Sequence, residues 1–240
     1  MVPTVGRMRV RVVGSGRAGG ALALALHRVG WTVEAPLGRD DDLSPAAHGV
    51  DLLVLATPDP VIAEVAGTVE PDPDTVVAHL AGALGLDVLA GHPRPAALHP
   101  LVALPDADTG ATRLADGAWF AVAGDPLVER VVAELGGQAF VVADEDRTRY
   151  HAAAVIASNH LVALLGQVER VAPEGVPLEA FLALVRGTVD NVAALGPAAA
   201  LTGPVARGDW ATVEAHLAAL PDDERPAYQA MVDQARRLLD

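Results

Sequence analysis

The chain has 240 residues, and 51% of them are hydrophobic although only 3% are aromatic, so its core must be built mainly from Ala, Val and Leu. The formal net charge of −14 argues against nucleic acid and anionic membranes as partners, because both bind basic faces. The sequence has neither cysteine nor lysine, which excludes disulfides, thiolate metal ligands and Schiff-base catalysis.

The hydropathy pattern predicts a soluble, cytoplasmic protein. No uninterrupted apolar run approaches the roughly 18–20 residues that a membrane-spanning helix needs. The segment from Met1 to Met8 lacks a charged stretch followed by an apolar one, which a signal peptide would show.

Strands and helices alternate along the first 143 residues. Short apolar, β-branched runs predict strands at 8–13, 31–35, 51–56, 75–80, 96–99, 119–123 and 139–142. Helical patterns occur at 17–29, 61–67 and 126–135. This alternation predicts a mostly parallel sheet with helices on both of its faces.

The pattern changes near residue 144. Beyond it no convincing strand follows, and helices are predicted at 147–171, 178–195, 210–220 and 223–239. Prolines separate these helical segments. We therefore expect an α/β domain over residues 1–143 and an all-α domain over residues 144–240.

A glycine-rich turn lies between the first strand and the first helix. It fits the pattern G-x-G-x-x-G and reads Gly14-Ser15-Gly16-Arg17-Ala18-Gly19. In such turns the first glycine permits the tight bend, the second lets a pyrophosphate approach the backbone, and the third lets the helix pack on the strand. The helix N-terminus adds N–H donors for the phosphates. All six residues are predicted to bind a dinucleotide, and the first domain to be a doubly wound Rossmann domain.

Residues near the end of the second strand select between NAD and NADP by their contacts with the ribose of the dinucleotide. An acidic residue there favours NAD, whereas an arginine facing a 2′-phosphate favours NADP. Glu34 lies inside the predicted strand, while Arg39 lies in the loop that follows it. A loop arginine reaches a phosphate more easily, so NADP is favoured over NAD, although the acidic run 40–42 weakens the local positive potential.

Polar residues follow the next three strands, at the sheet edge where α/β proteins bind ligands. Thr57 and Pro58 follow the third strand, and His79 and Ala81 lie at the end of the fourth. These residues are predicted to line the cofactor path. His99 ends the fifth strand and is predicted to contact the substrate near the nicotinamide, with a structural turn at its proline as the alternative.

The first helix of the second domain carries His151 and Asn159 among small or apolar residues. Eight residues place them about 80° apart on an α-helix, so both can border one cleft. Reduction of a carbonyl or imine needs a proton donor, which histidine supplies near neutral pH, and an amide can polarise the accepting oxygen. We predict His151 as the acid/base and Asn159 as a positioning donor, with ordinary helix packing as the alternative.

Thr202 and Arg207 lie in a glycine-containing turn between two later helices. Arg207 is predicted to clamp a substrate carboxylate, and Thr202 to help bind the substrate. The alternative is that the glycines shape the turn while Arg207 pairs with Asp209. No group of His, Asp and Glu shows metal-ligand spacing, so no metal is expected.

Several segments resemble the Rossmann-like proteins that carry a helical C-terminal domain of the DUF2520 type. They are TPD at 57–59, HLAGAL at 79–84, LHPL at 98–101, YHAAA at 150–154, ASN at 157–159 and LTGPVARGD at 201–209. The resemblance implies an NADP-dependent oxidoreductase of the 6-phosphogluconate dehydrogenase-like superfamily, and some members look like an alternative ketopantoate reductase that serves pantothenate synthesis.

The chain departs from that pattern in two respects. Ordinary ketopantoate reductases rely on a catalytic lysine, which is absent here. Ala81 stands where the resembling proteins more often have serine, which removes one hydroxyl contact.

The sequence leaves several functions open. Reduction of a small 2-oxo acid such as ketopantoate leads, and a pyrroline-5-carboxylate-like imine reductase follows. A deazaflavin (F420)-dependent oxidoreductase and a non-catalytic NADP-binding sensor are further alternatives. The apolar C-terminal helices exceed what one Rossmann face can bury, so a homodimer is expected.

Overall fold

The computed structural model describes residues 7–239. The chain divides into two compact units between Ser158 and Asn159. The expectation about a signal peptide concerns residues 1–8, of which residues 1–6 lie outside the described part.

One sheet organises the first unit, and each predicted strand is present in it. Its strands are β1 (Arg9–Val13), β2 (Thr32–Val33), β3 (Leu52–Leu55), β4 (Val76–His79), β5 (Pro95–Pro100), β6 (Trp119–Gly124) and β7 (Gln138–Val141). Their order is β2-β1-β3-β4-β5-β6-β7. Neighbouring strands are parallel except for the antiparallel pair β5–β6, so the predicted doubly wound, mostly parallel sheet is confirmed.

The central strands explain why their apolar sequences predict an α/β fold. β3 and β4 consist entirely of buried residues, as expected for parallel strands covered on both faces. Successive side chains point to opposite faces. Leu52 and Val54 accordingly join the core cluster on one face, whereas Leu53 and Leu55 join the cluster on the other.

Five α-helices accompany this sheet in residues 7–158: α1 (Arg17–Arg28), α2 (Ile62–Thr68), α3 (Ala107–Leu114), α4 (Leu127–Glu134) and α5 (Arg147–Val155). The pattern analysis missed α3, because a Gly and two Thr within it lower its helix propensity. Asp106 starts α3 by accepting a hydrogen bond from the Thr109 amide at 2.8 Å. Gly110 then lets it pack closely on α1, since an added Cβ would lie 2.7 Å from the Ala21 Cβ.

The second unit is all-helical, as predicted. It contains α6 (Leu161–Val171), α7 (Leu178–Leu195), α8 (Pro197–Ala200), α9 (Pro204–Arg207), α10 (Trp210–Ala219) and α11 (Arg225–Arg236). A small core of Val205, Val213 and Val232 forms within it. The buried Glu224 anchors α6, because its carboxylate accepts hydrogen bonds from the Arg170 guanidinium.

The boundary between the two compact units falls after α5, and the domain boundary at 143/144 stays a prediction. The first unit includes α5, which brings Tyr150 and His151 into contact with His99 of β5. A π-helical turn, Ile156–His160, follows α5.

One described helix, 144–171, is long and apolar enough to cross a membrane by length and composition alone. The search for uninterrupted apolar runs overlooked it, because charged and polar residues are scattered through its first turns. Length and composition are weak evidence for a span, since helices of soluble proteins pass the same test.

Candidate functional site

The glycine turn has the backbone geometry that its sequence predicts. Gly14 has φ of +94°, and an added Cβ would lie 2.8 Å from the Ala56 carbonyl oxygen. A Cβ on Gly19 would lie 2.1 Å from the Gly14 oxygen, so helix and strand touch there. Gly16 instead faces open space, with nothing within 4 Å of an added Cβ. Two glycines thus close the turn, and the third leaves room above the backbone.

This turn lies at the topological switch point of the sheet, where the order of the strands reverses. β2 and β3 flank β1 on opposite sides, so the chain crosses over in opposite directions after β1 and β2. Ligands of open α/β sheets bind in the crevice that such a switch point creates at the carboxyl ends of the strands. Helix α1 begins at Arg17, and no side chain of the described residues caps it, which leaves its first N–H groups for a ligand.

Thr57 contributes a second observation at the same crevice. Its hydroxyl is buried and has no hydrogen-bond partner within residues 7–239. Its backbone nitrogen would lie 3.2 Å from a Cβ on Gly14, so it borders the glycine turn. A buried hydroxyl without a partner is costly, and a polar group of a bound ligand would satisfy it. The residues therefore fit a dinucleotide.

The two residues predicted to select between NAD and NADP, Glu34 and Arg39, differ in their contacts. Leu37 continues along β1, because its amide bonds Val12 at 2.9 Å and its carbonyl accepts from the Gly14 amide at 2.8 Å. Arg39 follows two residues later and is exposed. The Glu34 carboxylate is instead engaged by the Arg9 guanidinium, at 3.0 Å from Nε and 2.8 Å from Nη2.

His79 holds the loop after β4 rather than facing open space. Its side chain is fully buried. Nδ1 accepts a hydrogen bond from the Ala81 amide at 3.2 Å, so Nε2 carries the proton and donates to the Gly85 carbonyl, also at 3.2 Å. Burial lowers the pKa of His79, which keeps the ring neutral. Ala81 is itself buried and packs in the core.

Three ring side chains gather beside this loop, over Gly82. His99 Nδ1 lies 2.7 Å from the Tyr150 hydroxyl. The His99 and His151 rings meet edge to face, with centroids 5.9 Å apart. A Cβ on Gly82 would lie 2.8 Å from His99 Nε2 and 2.7 Å from His151 Cδ2, so only glycine lets both rings close on the loop. The predicted residues His99 and His151 are thus brought together.

The environment of this cluster opposes positive charge on His99. Burial, followed by the charges of His151 and Arg147, lowers the pKa of His99 to about 4. Burial raises the pKa of Tyr150 to about 12, and the positive charge of Arg147 works in the opposite direction. Near neutral pH, His99 is therefore a neutral imidazole and Tyr150 a protonated phenol.

Arg147 is the buried cation of the site. Its side chain has no exposed surface, and its three guanidinium nitrogens have no hydrogen-bond partner in the described chain. Its nearest counter-charge is Asp144, with Nε 3.4 Å from the carboxylate. The other Asp144 oxygen accepts from the Leu86 amide at 3.1 Å, which links the turn before α5 to the segment after β4. Desolvation lowers the pKa of Arg147, and Asp144 partly offsets it.

Tyr150, Arg147 and Asp144 were not among the residues predicted for this site. Tyr150 directly precedes His151 in the YHAAA segment, and this position beside a predicted catalytic residue was the one sequence feature that could have indicated it. Arg147 and Asp144 have no such signal, because a charged pair at a helix start is ordinarily a solvated cap.

The remaining predicted residues lie in the second unit. Asn159, Thr202 and Arg207 are all exposed. The π-helical turn breaks the regular α-helical spacing on which the angle between His151 and Asn159 was predicted. Asp209 caps α10 by accepting from the Thr212 amide at 3.1 Å, and Gly203 and Gly208 have positive φ, so the glycines do shape this turn. The role of Arg207 stays a prediction.

The described residues contain no group of three or more His, Cys, Asp or Glu side chains that would hold a metal ion.

Comparison with known proteins agrees with this architecture. Residues 120–235 match the model of DUF2520, a domain of unknown function. The predicted resemblance to Rossmann-like proteins with a DUF2520 domain is thereby confirmed. The match begins in β6, within the sheet. No curated protein matches the chain.

Solved structures share the fold over nearly the whole chain. A candidate NADP oxidoreductase of Bacteroides fragilis has a TM-score of 0.80 at 21% identity, covering 96% of this chain and 98% of its own. A Thermotoga maritima protein has a TM-score of 0.72 at 25% identity, with coverages of 95% and 97%. A reductive aminase of Aspergillus terreus, solved with NADPH and ethyl levulinate, has a TM-score of 0.72 at 15% identity, with coverages of 96% and 94%.

Proposed function

We propose that this chain is an NADP-dependent oxidoreductase that reduces a C=O or C=N bond of a small organic acid. The observation that carries the proposal is the open space over Gly16, bordered by the unpartnered Thr57 hydroxyl at the switch point of the sheet. The ring cluster of His99 and His151 lies along the same carboxyl edge of the sheet. Structural neighbours solved with NADPH or NADP support the choice of cofactor.

In this proposal, separate residues bind the cofactor and donate the proton. Amides of the glycine turn and of α1 would bind the pyrophosphate, and Arg39 would bind the 2′-phosphate. The Thr57 hydroxyl would bond the cofactor. NADPH, when bound, supplies the hydride. His151 would donate the proton, because its half-buried ring lies beside His99 and against the loop at Gly82. His79 would hold that loop in place.

Among substrates, a 2-oxo acid such as ketopantoate is the first candidate, and a cyclic imine acid is the second. The structural neighbours include a reductive aminase and pyrroline carboxylate reductases, and these names support a carbonyl or imine compound as the substrate. A non-catalytic sensor would bind NADPH and turn over nothing. A panel of 2-oxo acids and cyclic imines, followed by loss of NADPH absorbance, separates these functions.

Binding of the cofactor is tested by titration with NADPH, NADH and reduced F420. We expect NADPH to bind most tightly, and Arg39→Ala to weaken NADPH about tenfold or more while leaving NADH unchanged. Arg28→Ala is a matched control, because Arg28 is another exposed arginine of the first unit and contacts Asp108. Failure of NADPH to bind, or tighter binding of F420, would overturn the proposal.

We further propose that the protein is a cytoplasmic homodimer formed through α6 and α7. Neither helix has a buried residue, and both expose large apolar side chains: Val162, Leu164, Leu184, Val189, Val192 and Leu195. An apolar surface of this kind fits a second copy of itself better than an anionic membrane surface, given the net charge of −14. Sedimentation should give twice the chain mass. A monomer mass, or co-sedimentation with lipid vesicles, would contradict this.

A further inference from the structure

We infer that His99 acts as a neutral N–H donor to the oxygen of a carbonyl substrate, and that Tyr150 positions that proton by fixing the tautomer of the ring. The inference rests on the proposed function and deepens it. It assigns different roles to the two histidines of the cluster, and it favours a carbonyl over an iminium ion as the substrate.

The geometry of His99 leaves one ring nitrogen for the substrate. Nδ1 lies 2.7 Å from the Tyr150 hydroxyl. When that hydroxyl donates to Nδ1, the ring proton of a neutral imidazole must be on Nε2. Nε2 faces Gly82, where an added Cβ would approach it to 2.8 Å. Nε2 and the His151 ring therefore both lie against Gly82, so a substrate oxygen bonded to Nε2 would lie next to His151.

Tyr150 is held in a position to make this bond. Its ring meets Phe140 of β7 edge to face, with centroids 5.7 Å apart. On the same face of α5, Tyr150 and Ala153 line a surface cavity of about 320 Å³ together with residues at the end of β7. Tyr150 is thus supported by the sheet on one side and bonded to His99 on the other, which fixes the orientation of its hydroxyl.

The charges around the cluster select the kind of substrate. Arg147 is fully buried, without a hydrogen-bond partner in the described chain, and its positive charge acts on His79, His99 and Tyr150. A buried cation disfavours a second positive charge nearby and stabilises a developing negative one. An iminium ion carries a positive charge, whereas a carbonyl oxygen gains negative charge as its carbon is reduced. Asp144 opposes this effect, but its side chain is half exposed and therefore more screened.

The reduction then balances with both histidines in use. As the carbonyl carbon accepts the hydride, the electron pair of the C=O π bond moves to oxygen. The N–H of His99 hydrogen-bonds this oxygen without giving up its proton, because the anion of imidazole is inaccessible near neutral pH. The oxygen takes its proton from the imidazolium form of the half-exposed His151, which gives the alcohol and leaves a neutral His151 ring, and that ring regains its proton from solvent. A neutral imidazole that polarises a carbonyl is an established catalytic device.

The tautomer is tested without any turnover. In the full-length ¹⁵N-labelled protein at pH 7, imidazole NMR should show His99 as a neutral ring protonated at Nε2. Tyr150→Phe should abolish this preference, while Tyr228→Phe should leave it unchanged. Tyr228 is a matched control, because its hydroxyl bonds His216 Nδ1 at the same 2.7 Å in the second unit. A His99 ring protonated at Nδ1, or a tautomer unaffected by Tyr150→Phe, would overturn the inference.

Kinetics provide the second readout. Tyr150→Phe should lower kcat for a 2-oxo acid about tenfold or more, with the Kd of NADPH unchanged. His99→Asn, which keeps an N–H donor, should retain more activity than His99→Leu. If NADPH binds and a 2-oxo acid is reduced but Tyr150→Phe keeps full kcat, or if cyclic imines are preferred to 2-oxo acids, this inference fails while the proposed function stands. Absence of NADPH binding defeats the proposed function instead.

Discussion

The two His–Tyr pairs of this chain make the same bond in different surroundings. In the first unit, His99 Nδ1 lies 2.7 Å from the Tyr150 hydroxyl; in the second unit, His216 Nδ1 lies 2.7 Å from the Tyr228 hydroxyl. Both pairs meet edge to face, with interplanar angles of 86° and 90°. The local geometry therefore does not distinguish a functional pair from a structural one.

The surroundings do distinguish them. His99 contacts a second histidine and is influenced by the buried Arg147, and its pKa is lowered to about 4. His216 lies on the exposed side of α10, where its bond joins that helix to α11. Burial raises the pKa of both tyrosines, but only Tyr150 has a buried cation acting against that rise. The two pairs therefore share a bond geometry but differ in burial and in the charges around them.

The largest expected effect is on catalysis by His151. His151→Ala should lower kcat about 100-fold to 10,000-fold, because a positioned general acid contributes about that much. Steady-state kinetics with a 2-oxo acid and NADPH measure the change. His216→Ala, in the second pair, should leave kcat unaltered. Equal kcat for His151→Ala and the unmodified protein would remove His151 from the mechanism.

A smaller loss is expected when the space between the rings is filled. Gly82→Ala places a Cβ within 2.8 Å of His99 Nε2 and 2.7 Å of His151 Cδ2, so both rings must shift. A misplacement of about 1 Å can cost about 100-fold in kcat. Gly91→Ala is the control, since an added Cβ there meets nothing within 4 Å. The same kcat for both variants would show that the rings do not need this spacing.

Substitution of one arginine in each unit should change the free energy of unfolding in different ways. Arg170→Met leaves the buried Glu224 without its guanidinium partner, so the free energy of unfolding should fall. Arg147→Met removes a buried charge that lacks hydrogen bonds, so the free energy of unfolding should stay equal or rise while activity on the 2-oxo acid falls. Urea unfolding of both variants gives the answer. A greater loss for Arg147→Met would mean that Arg147 stabilises the fold.

The smallest expected effect is a dependence of stability on pH. The folded pKa of His99, about 4, lies below the unfolded value of 6.5, so only the unfolded chain takes up this proton between those values. Stability should therefore fall as pH drops from 6.5 toward 4, by at most about 1.4 kcal/mol per unit from this group. His99→Asn should flatten that slope, as measured by urea unfolding at several pH values. His216→Gln is the control, and an equal flattening by both variants would contradict the assignment.

The fold could be predicted from the sequence wherever one physical signal dominates. The fully buried runs of β3 and β4 and the glycines at 14, 16 and 19 leave few alternatives, and the structure agrees with each. Helix α3 was missed, because a capping aspartate and packing against α1 compensate for its weak propensity. The contacts of α5 with the sheet could not be predicted either, since they are tertiary.

The candidate site could be predicted only in part. His99 and His151 follow from their positions at a strand end and on the next helix, but their meeting over Gly82 depends on the path of the loop after β4. The burial of Arg147 could not be predicted from the sequence, because arginine side chains are almost always solvated. Tyr150 becomes notable only once its hydroxyl is seen beside His99.

The proposed function requires a dinucleotide that binds at the glycine turn and extends toward the ring cluster. Amide NMR of the full-length ¹⁵N-labelled protein during an NADPH titration tests this directly. We predict saturable binding, with the largest shifts at Gly16–Gly19, at Thr57 and in the loop around Gly82. Absence of saturation, or shifts confined to other surfaces, would contradict the account.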